Sequence, residues 1–227
     1  GFVRDSAVEK VTLPDGVKTI RADAFSGCKN LKKINLPKGL KTISYSAFYD
    51  SGLEEISLPD SVVTLEFDAF SQCEELKTVN LNGNLKTISW GAFYKCPALE
   101  EIDIPDSVER LEAEAFSGCE KLKSVKLGNG LKYLGNDTFK ETPVYYLSDY
   151  EDGVKYIDNA VITVDGNPEE INFKESTRII ADGALEKCKR KEGEGEGEED
   201  TRTPAVPSAK PGMKRLLPLI AIAAIVM

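Results

Sequence analysis

Phenylalanine recurs along the chain at a nearly constant interval. The steps are 23, 22, 23, 23 and 23 residues between Phe25, Phe48, Phe70, Phe93, Phe116 and Phe139. An aliphatic residue precedes each of them by five positions, at Ile20, Ile43, Leu65, Ile88, Leu111 and Leu134. Self-similarity at a fixed period is typical of solenoid proteins, in which every repeat is one structural unit. The spacing therefore predicts a stack of similar units.

Each unit predicts two extended segments followed by a turn. In the segment 32–37, Ile34 and Leu36 alternate with polar residues, which indicates a short strand with one buried face. Pro37 ends that strand, because proline cannot donate to a continuing ladder. A second extended segment ends at Ile43. A polar residue before the Ala-Phe or Thr-Phe pair predicts a capped, single helical turn, at Asp23, Ser46, Asp68 and Asp137.

The repeat frame reaches both ends of the array. Counting back 23 residues from Phe25 reaches Phe2, so we expect the chain to begin inside a repeat. Ile180 and Leu185 belong to a late copy near the other end. One unit cannot bury its apolar face alone, so the units must stack. The predicted solenoid covers residues 1–190.

One copy near the end of the array departs from the pattern. Residues 146–173 form a degenerate repeat, in which two apolar runs flank a turn-forming segment at 165–167. An apolar run, an Asp-Gly turn and a second apolar run predict a β-hairpin. We therefore expect a hairpin-like excursion with arms at 161–164 and 171–173.

The full unit is close to L-x-x-I-x-L-P-x-x-L-x-x-I-x-x-x-A-F-x-x-C, and it occurs as LKKINLPKGLKTISYSAFYDS and LEEIDIPDSVERLEAEAFSGC. This pattern resembles the BspA-like leucine-rich repeats over about residues 1–190. The resemblance implies an α/β repeat solenoid, a curved right-handed stack of short parallel β-strands with short helical turns. Many members of that family are bacterial cell-surface or secreted proteins implicated in adhesion, which implies a similar role for this chain.

Polar residues on either side of each buried strand residue form two columns that should face solvent. Solenoids commonly bind partners through such a surface. The candidate partner-binding strand face consists of Lys33, Asn35, Glu55, Ser57, Thr78, Asn80, Glu101, Asp103, Ser124 and Lys126. This face contains no aromatic residue of the kind that dominates interfaces. A second candidate face lies around the turn, with Tyr45, Tyr49, Trp90 and Tyr94.

The cysteines follow the same frame, three residues after the Ala-Phe or Ala-Leu pair. They are Cys28, Cys73, Cys96, Cys119 and Cys188. We interpret this column as small buried side chains that fill one narrow slot, because serine and threonine replace cysteine in two copies. Side chains that point in parallel have unfavourable geometry for a disulfide.

Composition excludes several kinds of chemistry. The chain has no histidine, so neither a Ser-His-Asp nor a Cys-His nucleophile can be built, nor a histidine-ligated zinc or haem. We therefore predict a non-enzymatic protein without a cofactor or metal. The net charge is −9, and the repeats alone are more acidic, with 32 acidic against 21 basic side chains in residues 1–186. This balance argues against nucleic-acid binding and favours a cationic partner.

The composition changes after Cys188. Residues 191–213 are rich in Gly, Glu and Pro, which predicts a disordered linker. Residues 214–227 end in twelve apolar or proline residues, too few to cross a bilayer. We interpret this segment as the start of a truncated transmembrane helix, with a short interfacial tail as the alternative.

Two functional hypotheses follow. The first is a membrane-anchored cell-surface module that binds a protein or cell-surface ligand through the strand face. The second is an intracellular or tail-anchored interaction scaffold, which the unpaired cysteine column and the Lys214–Arg215 flank favour. A hydrolase that uses the paired carboxylates is disfavoured, because adjacent residues on a strand point to opposite sides.

Overall fold

The chain folds into a solenoid whose turns each contribute two short parallel strands. The computed structural model describes residues 7–148, 150–165, 171–186 and 188. The first strand of each turn has three residues: β1 Lys10–Thr12, β3 Lys33–Asn35, β5 Glu55–Ser57, β7 Thr78–Asn80, β9 Glu101–Asp103 and β11 Ser124–Lys126. The second strand has two: β2 Thr19–Ile20, β4 Thr42–Ile43, β6 Thr64–Leu65, β8 Thr87–Ile88, β10 Arg110–Leu111 and β12 Tyr133–Leu134.

The strands pair in the register that the repeat frame predicts. Ile20 faces Ile43, Ile43 faces Leu65, and the same step continues to Leu134. The second strands form one six-stranded sheet in the order β12-β10-β8-β6-β4-β2. The first strands form three separate two-stranded sheets, β1-β3, β5-β7 and β9-β11. The prediction of a parallel β-solenoid is confirmed, whereas its handedness and curvature stay predictions.

The core is a column of stacked phenylalanine rings. Successive rings from Phe25 to Phe139 lie 5.1, 5.1, 5.4, 5.2 and 5.9 Å apart between centroids, and their planes are within 8° of parallel. Phe48, Phe70, Phe93 and Phe116 are fully buried. The aliphatic residue of each second strand lines the same interior, with Ile43, Leu65, Ile88 and Leu111 at 0% exposure. Repetition of the sequence thus becomes repetition of one ring contact.

The expected helical turns are not confirmed. The segment around the Ala-Phe pair is a series of hydrogen-bonded turns, and the only helix in the described residues is α1, Pro143–Leu147. The residue taken as a helix cap has a left-handed backbone instead, with φ between 51° and 54° at Asp23, Ser46, Asp68 and Asp137. A second left-handed residue follows four positions later in each of these turns, at Gly27, Asp50, Gln72 and Glu141.

Alternate amides explain why no helix forms there. The amides of Ala24, Ser26 and Cys28 donate to a carbonyl three residues earlier, at 3.2–3.3 Å. The amides of Asp23, Phe25 and Gly27 instead donate to Tyr45, Ala47 and Tyr49 of the next turn, at 2.8–3.3 Å. An α-helix would need every amide for its own chain. Here half of them bind one turn of the solenoid to the next.

The C-terminal end of the stack departs from the regular repeat. After α1 come β13 Tyr150–Glu151, β14 Val154–Ile157, β15 Ala160–Val164 and β16 Ile179–Ile180. β14 and β15 form an antiparallel hairpin with a two-residue loop at Asp158–Asn159. The expected hairpin placed the turn at 165–167 and the second arm at 171–173. That placement was wrong, because Asp158 adopts φ 53° as a tight hairpin turn requires, and residues 171–174 form no strand.

Strand β16 lies between β12 and β15, although it comes last in the chain. The amide of Asp182 donates to Leu134 on one side at 2.7 Å, and the amide of Ala181 donates to Val161 on the other at 2.8 Å. The hairpin therefore lies outside the seventh turn and covers the end of the core. Val154, Val161 and Val164 are fully buried in that cover.

One turn of the solenoid is shorter than the others. The step from Phe48 to Phe70 is 22 residues because Ser51 and Gly52 replace the longer Cys-containing connection. A Cβ atom on Gly52 would lie 1.9 Å from the carbonyl oxygen of Lys29 in the preceding turn. Glycine at this position allows the two backbones to approach this closely.

The predicted linker at 191–213 and the predicted membrane segment at 214–227 lie outside the described residues. Within the described ranges, no helix is long and apolar enough to cross a membrane.

Candidate binding surface

The strand face is an exposed surface made of two aligned columns. In β3, β5 and β9 the middle residue is buried and both flanking residues are exposed. The register places Glu55 beside Thr78, Ser57 beside Asn80, and Asp103 beside Lys126. All ten residues predicted for this face are exposed on it: Lys33, Asn35, Glu55, Ser57, Thr78, Asn80, Glu101, Asp103, Ser124 and Lys126. Their role in binding stays a prediction.

Side-chain contacts along the face run from one turn to the next. The Asn80 amide donates to the Ser57 hydroxyl at 3.0 Å, and the Asn35 amide donates to the Thr12 hydroxyl at 3.4 Å. Lys33 forms an ion pair with Glu55. These contacts hold the outward side chains in rows, which limits the conformational entropy that they would lose on binding a partner.

The charges of the face change sign along the solenoid axis. Lys10 and Lys33 lie at the first turns, whereas Glu101 and Asp103 lie together on β9. Beside the face, the Lys123 ammonium hydrogen-bonds to Glu100 at 2.6 Å and lowers the pKa of that carboxyl. A surface of this kind recognises charge pattern and hydrogen-bonding groups, and it offers no apolar anchor.

The paired glutamates do not form a catalytic centre. Glu54 and Glu55 pair with different lysines of the preceding turn, Lys32 and Lys33, on an open surface. No group of three or more potential metal ligands occurs in the part of the chain that the structure describes. A shallow polar depression of about 280 Å³ lies elsewhere, and it is lined by Gln72, Glu74, Lys95, Pro97, Gly118, Glu120 and Glu141.

The second face proved to contain a different set of aromatic residues. Tyr45 and Trp90 are 44% and 42% exposed, as predicted, but Tyr49 and Tyr94 are half-buried. The sequence analysis missed Phe67, which is 48% exposed and lies between the first two. The repeat frame could have identified it, because residues 45, 67 and 90 follow the same 22- and 23-residue steps as the core. We call Tyr45, Phe67 and Trp90 the aromatic stripe.

Comparison with known families agrees with this architecture. The model of the BspA type leucine rich repeat region matches six copies, over residues 2–110 and 86–194. The chain belongs to this family. Among curated proteins, none matches the sequence.

Solved structures of leucine-rich repeat proteins share the fold. A protein from Eubacterium ventriosum is 26% identical, with a TM-score of 0.58 over 86% of this chain and 46% of that one. The T. pallidum leucine rich repeat protein TpLRR is 36% identical, with a TM-score of 0.51 over 52% and 56%. The pneumococcal vaccine antigen PcpA is 28% identical, with a TM-score of 0.56 over 78% and 42%. The chain thus covers about half the length of each relative.

The cysteine of the BspA-type repeat occupies an interior slot. Cys73, Cys96 and Cys119 are fully buried, and their thiols donate to the carbonyl oxygens of Phe48, Phe70 and Phe93 at 3.1–3.2 Å. In the copy without cysteine, the Ser51 hydroxyl lies 3.3 Å from the sulfur of Cys73. All five cysteines are free thiols. The interpretation of the column as small buried side chains agrees with these contacts.

We expect the thiols to react at two clearly separated rates. Burial raises the pKa of Cys73 to about 11 and the pKa of Cys96 well above its usual value, so little thiolate forms near pH 8. Cys188 is only partly buried. Titration of the native chain with a chromogenic disulfide reagent should therefore release one equivalent quickly and the other four only slowly.

Denaturant should make all five thiols react together, which serves as the control. A Cys188→Ser variant should lose the fast phase and keep the slow one. Fast reaction of two or more thiols in the native chain would contradict the burial of the column.

Proposed function

We propose that this chain is a non-enzymatic surface module that binds a protein or cell-surface ligand through its strand face. The observation that supports the proposal most directly is the alignment of ten exposed polar side chains in two columns over successive turns. A flat, repeating surface suits an extended or broad partner rather than a small substrate. The absence of histidine from the whole sequence fits a binding role.

Exposure at the cell surface is the second part of the proposal. One relative of similar fold is a pneumococcal vaccine antigen. An antigen of that kind must be accessible to antibodies, and we propose the same accessibility for this chain. The apolar segment at 214–227 would supply the membrane anchor, and the Gly-, Glu- and Pro-rich segment would separate the solenoid from the membrane.

Binding is tested with a matched pair of variants. One combines Lys33→Glu, Glu101→Lys and Asp103→Lys on the strand face. The other reverses three exposed charges away from it, with Lys38→Glu, Asp60→Lys and Asp106→Lys. Both change the net charge by the same amount, so any difference between them reflects the position of the charges.

The wild-type chain and both variants are measured against a panel of purified extracellular matrix and serum proteins by surface plasmon resonance. We expect at least one partner in the micromolar range, with an affinity about tenfold lower for the strand-face variant alone. A panel without any binder would remove the support for a surface-binding role. Equal loss in both variants would mean that net charge, rather than the strand face, determines binding.

The intracellular scaffold remains the second candidate, and the free thiols of the cysteine column favour it, because reduced cysteines are typical of the cytosol. Protease treatment of intact cells that express the parent protein distinguishes the two locations. Release of the solenoid from intact cells supports the surface, whereas protection until lysis supports the scaffold.

A further inference from the structure

The aromatic stripe is a continuous exposed apolar surface at one side of the second-strand sheet. The amide of Ser46 donates to the carbonyl of Phe67 at 3.1 Å, and the amide of Asp68 donates to that of Trp90 at 3.0 Å. Residues of the stripe therefore lie on adjacent turns. The rings of Tyr45 and Phe67 stack with centroids 5.1 Å apart and planes 7° from parallel.

Such a surface has a cost in water that needs an explanation. Three large aromatic side chains in a row, each more than two-fifths exposed, do not match the polar character of the strand face. The repeat does not require them, because Ala22, Ala113 and Asn136 occupy the same position in other turns. Contiguous exposed apolar patches on soluble proteins mark sites of interaction, and tyrosine and tryptophan are enriched where binding energy concentrates.

Carboxylates surround the stripe. The residues on either side of this column include Glu66 and Asp68 next to Phe67, and Glu112 and Glu114 on the turn after Trp90. Among the described residues, only Glu112 of these four has a basic neighbour, with Arg110 Nε at 3.6 Å.

The carboxylates also act on one another. Burial raises the pKa of the Asp68 carboxyl, and the negative charge of Glu114 raises it further. Two carboxylates that disfavour each other's charge indicate a negative potential that a cation would relieve.

We propose that the aromatic stripe docks an extended segment of a partner protein in which basic residues alternate with apolar ones. The apolar side chains pack along Tyr45, Phe67 and Trp90, and the lysine or arginine side chains reach the flanking carboxylates. Three turns span about 10 Å at the strand spacing, which matches about three residues of extended chain. The acidic flanks oppose pairing with a second copy of this chain, whose stripe carries the same charge.

Trp90 is the only tryptophan of the chain, so its fluorescence reports on the stripe directly. The probe is a peptide of about eight residues in which arginine alternates with leucine, titrated into the full 227-residue chain. Two matched peptides serve as controls, one alternating arginine with serine and the other alternating glutamate with leucine. All three lack tryptophan and tyrosine.

We expect the Arg-Leu peptide alone to shift the Trp90 emission to shorter wavelength in a saturable manner, with an affinity that falls as salt is added. The double variant Tyr45→Ser/Phe67→Ser keeps the reporter and should bind about tenfold more weakly. The matched variant Tyr146→Ser/Tyr150→Ser removes two other exposed tyrosines and should bind like the wild type. Thermal unfolding of each variant shows that it is folded.

Several results would overturn the proposal. They are an unchanged Trp90 emission with the Arg-Leu peptide, equal binding of the Arg-Ser peptide, and an unaffected Tyr45→Ser/Phe67→Ser variant. An emission shift that depends on protein concentration without peptide would assign the stripe to a second copy instead. None of these results depends on whether the strand face binds a partner.

Discussion

Replacement of Phe93 by alanine should lower the free energy of unfolding by about 3–5 kcal/mol, the range for a large aromatic residue removed from a packed core. Phe93 is fully buried, and its ring stacks between Phe70 at 5.4 Å and Phe116 at 5.2 Å. The substitution would therefore interrupt the ring column on both sides. Urea unfolding followed by circular dichroism provides the measurement.

Phe67→Ala is the matched control, because it removes the same side chain from an exposed position in the same array. We expect it to change the free energy of unfolding by no more than about 0.5 kcal/mol, as for most surface substitutions. Similar losses in the two variants would contradict the assignment of Phe93 to the core and Phe67 to the surface.

Replacement of Gly52 by alanine should destabilise the chain by about 3 kcal/mol or more. The added Cβ would lie 1.9 Å from the carbonyl oxygen and 2.7 Å from the carbonyl carbon of Lys29, which are backbone atoms and cannot rotate away. Relief requires separation of two neighbouring turns, and that separation would strain the hydrogen bond from the Gly52 amide to Cys28. Thermal and urea unfolding provide the measurement.

Gly83→Ala provides the comparison, since nothing lies within 4 Å of a Cβ at that position. Its effect should be within about 0.5 kcal/mol. A Gly52→Ala variant as stable as Gly83→Ala would show that the short turn tolerates a wider path, and the close approach of the two backbones would not be required.

The architecture could be predicted from the sequence because one short period is repeated many times. A single unit such as Lys33–Asn35 is too short to identify a strand, but the same alternation at six positions specifies register, buried face and stacking direction together. The strand face followed directly, since the residues on either side of Ile34 must point away from the core. The structure places them as expected.

The turns could not be predicted in the same way, because their conformation depends on the neighbouring turn. A polar residue before Ala-Phe is equally compatible with a helix cap and with a left-handed residue. Only the next turn decides between them, since the amide of Phe25 donates to Ala47, one repeat away. The end of the array was mislocated for a related reason, because both Asp158–Asn159 and residues 165–167 have turn-forming sequences.

Phe67 shows a limit of a different kind. Its identity in the repeat frame was available, but an aromatic residue three positions before the core Phe70 does not reveal that it faces solvent. Exposure followed only from the path of the turn, in which Phe67 points outward while Ala69 and Phe70 point inward.

The placement of β16 between β12 and β15 affects how the molecule can be made. The regular turns can each join the previous one as soon as they leave the ribosome. The seventh cannot, because its strand begins at Ile179, 45 residues after Leu134, and the hairpin that covers it has already been synthesised. During that interval β15 is the nearest strand able to pair with β12. Completion of the array therefore requires the later strand to enter between two earlier ones, which makes its C-terminal end the slowest part to assemble.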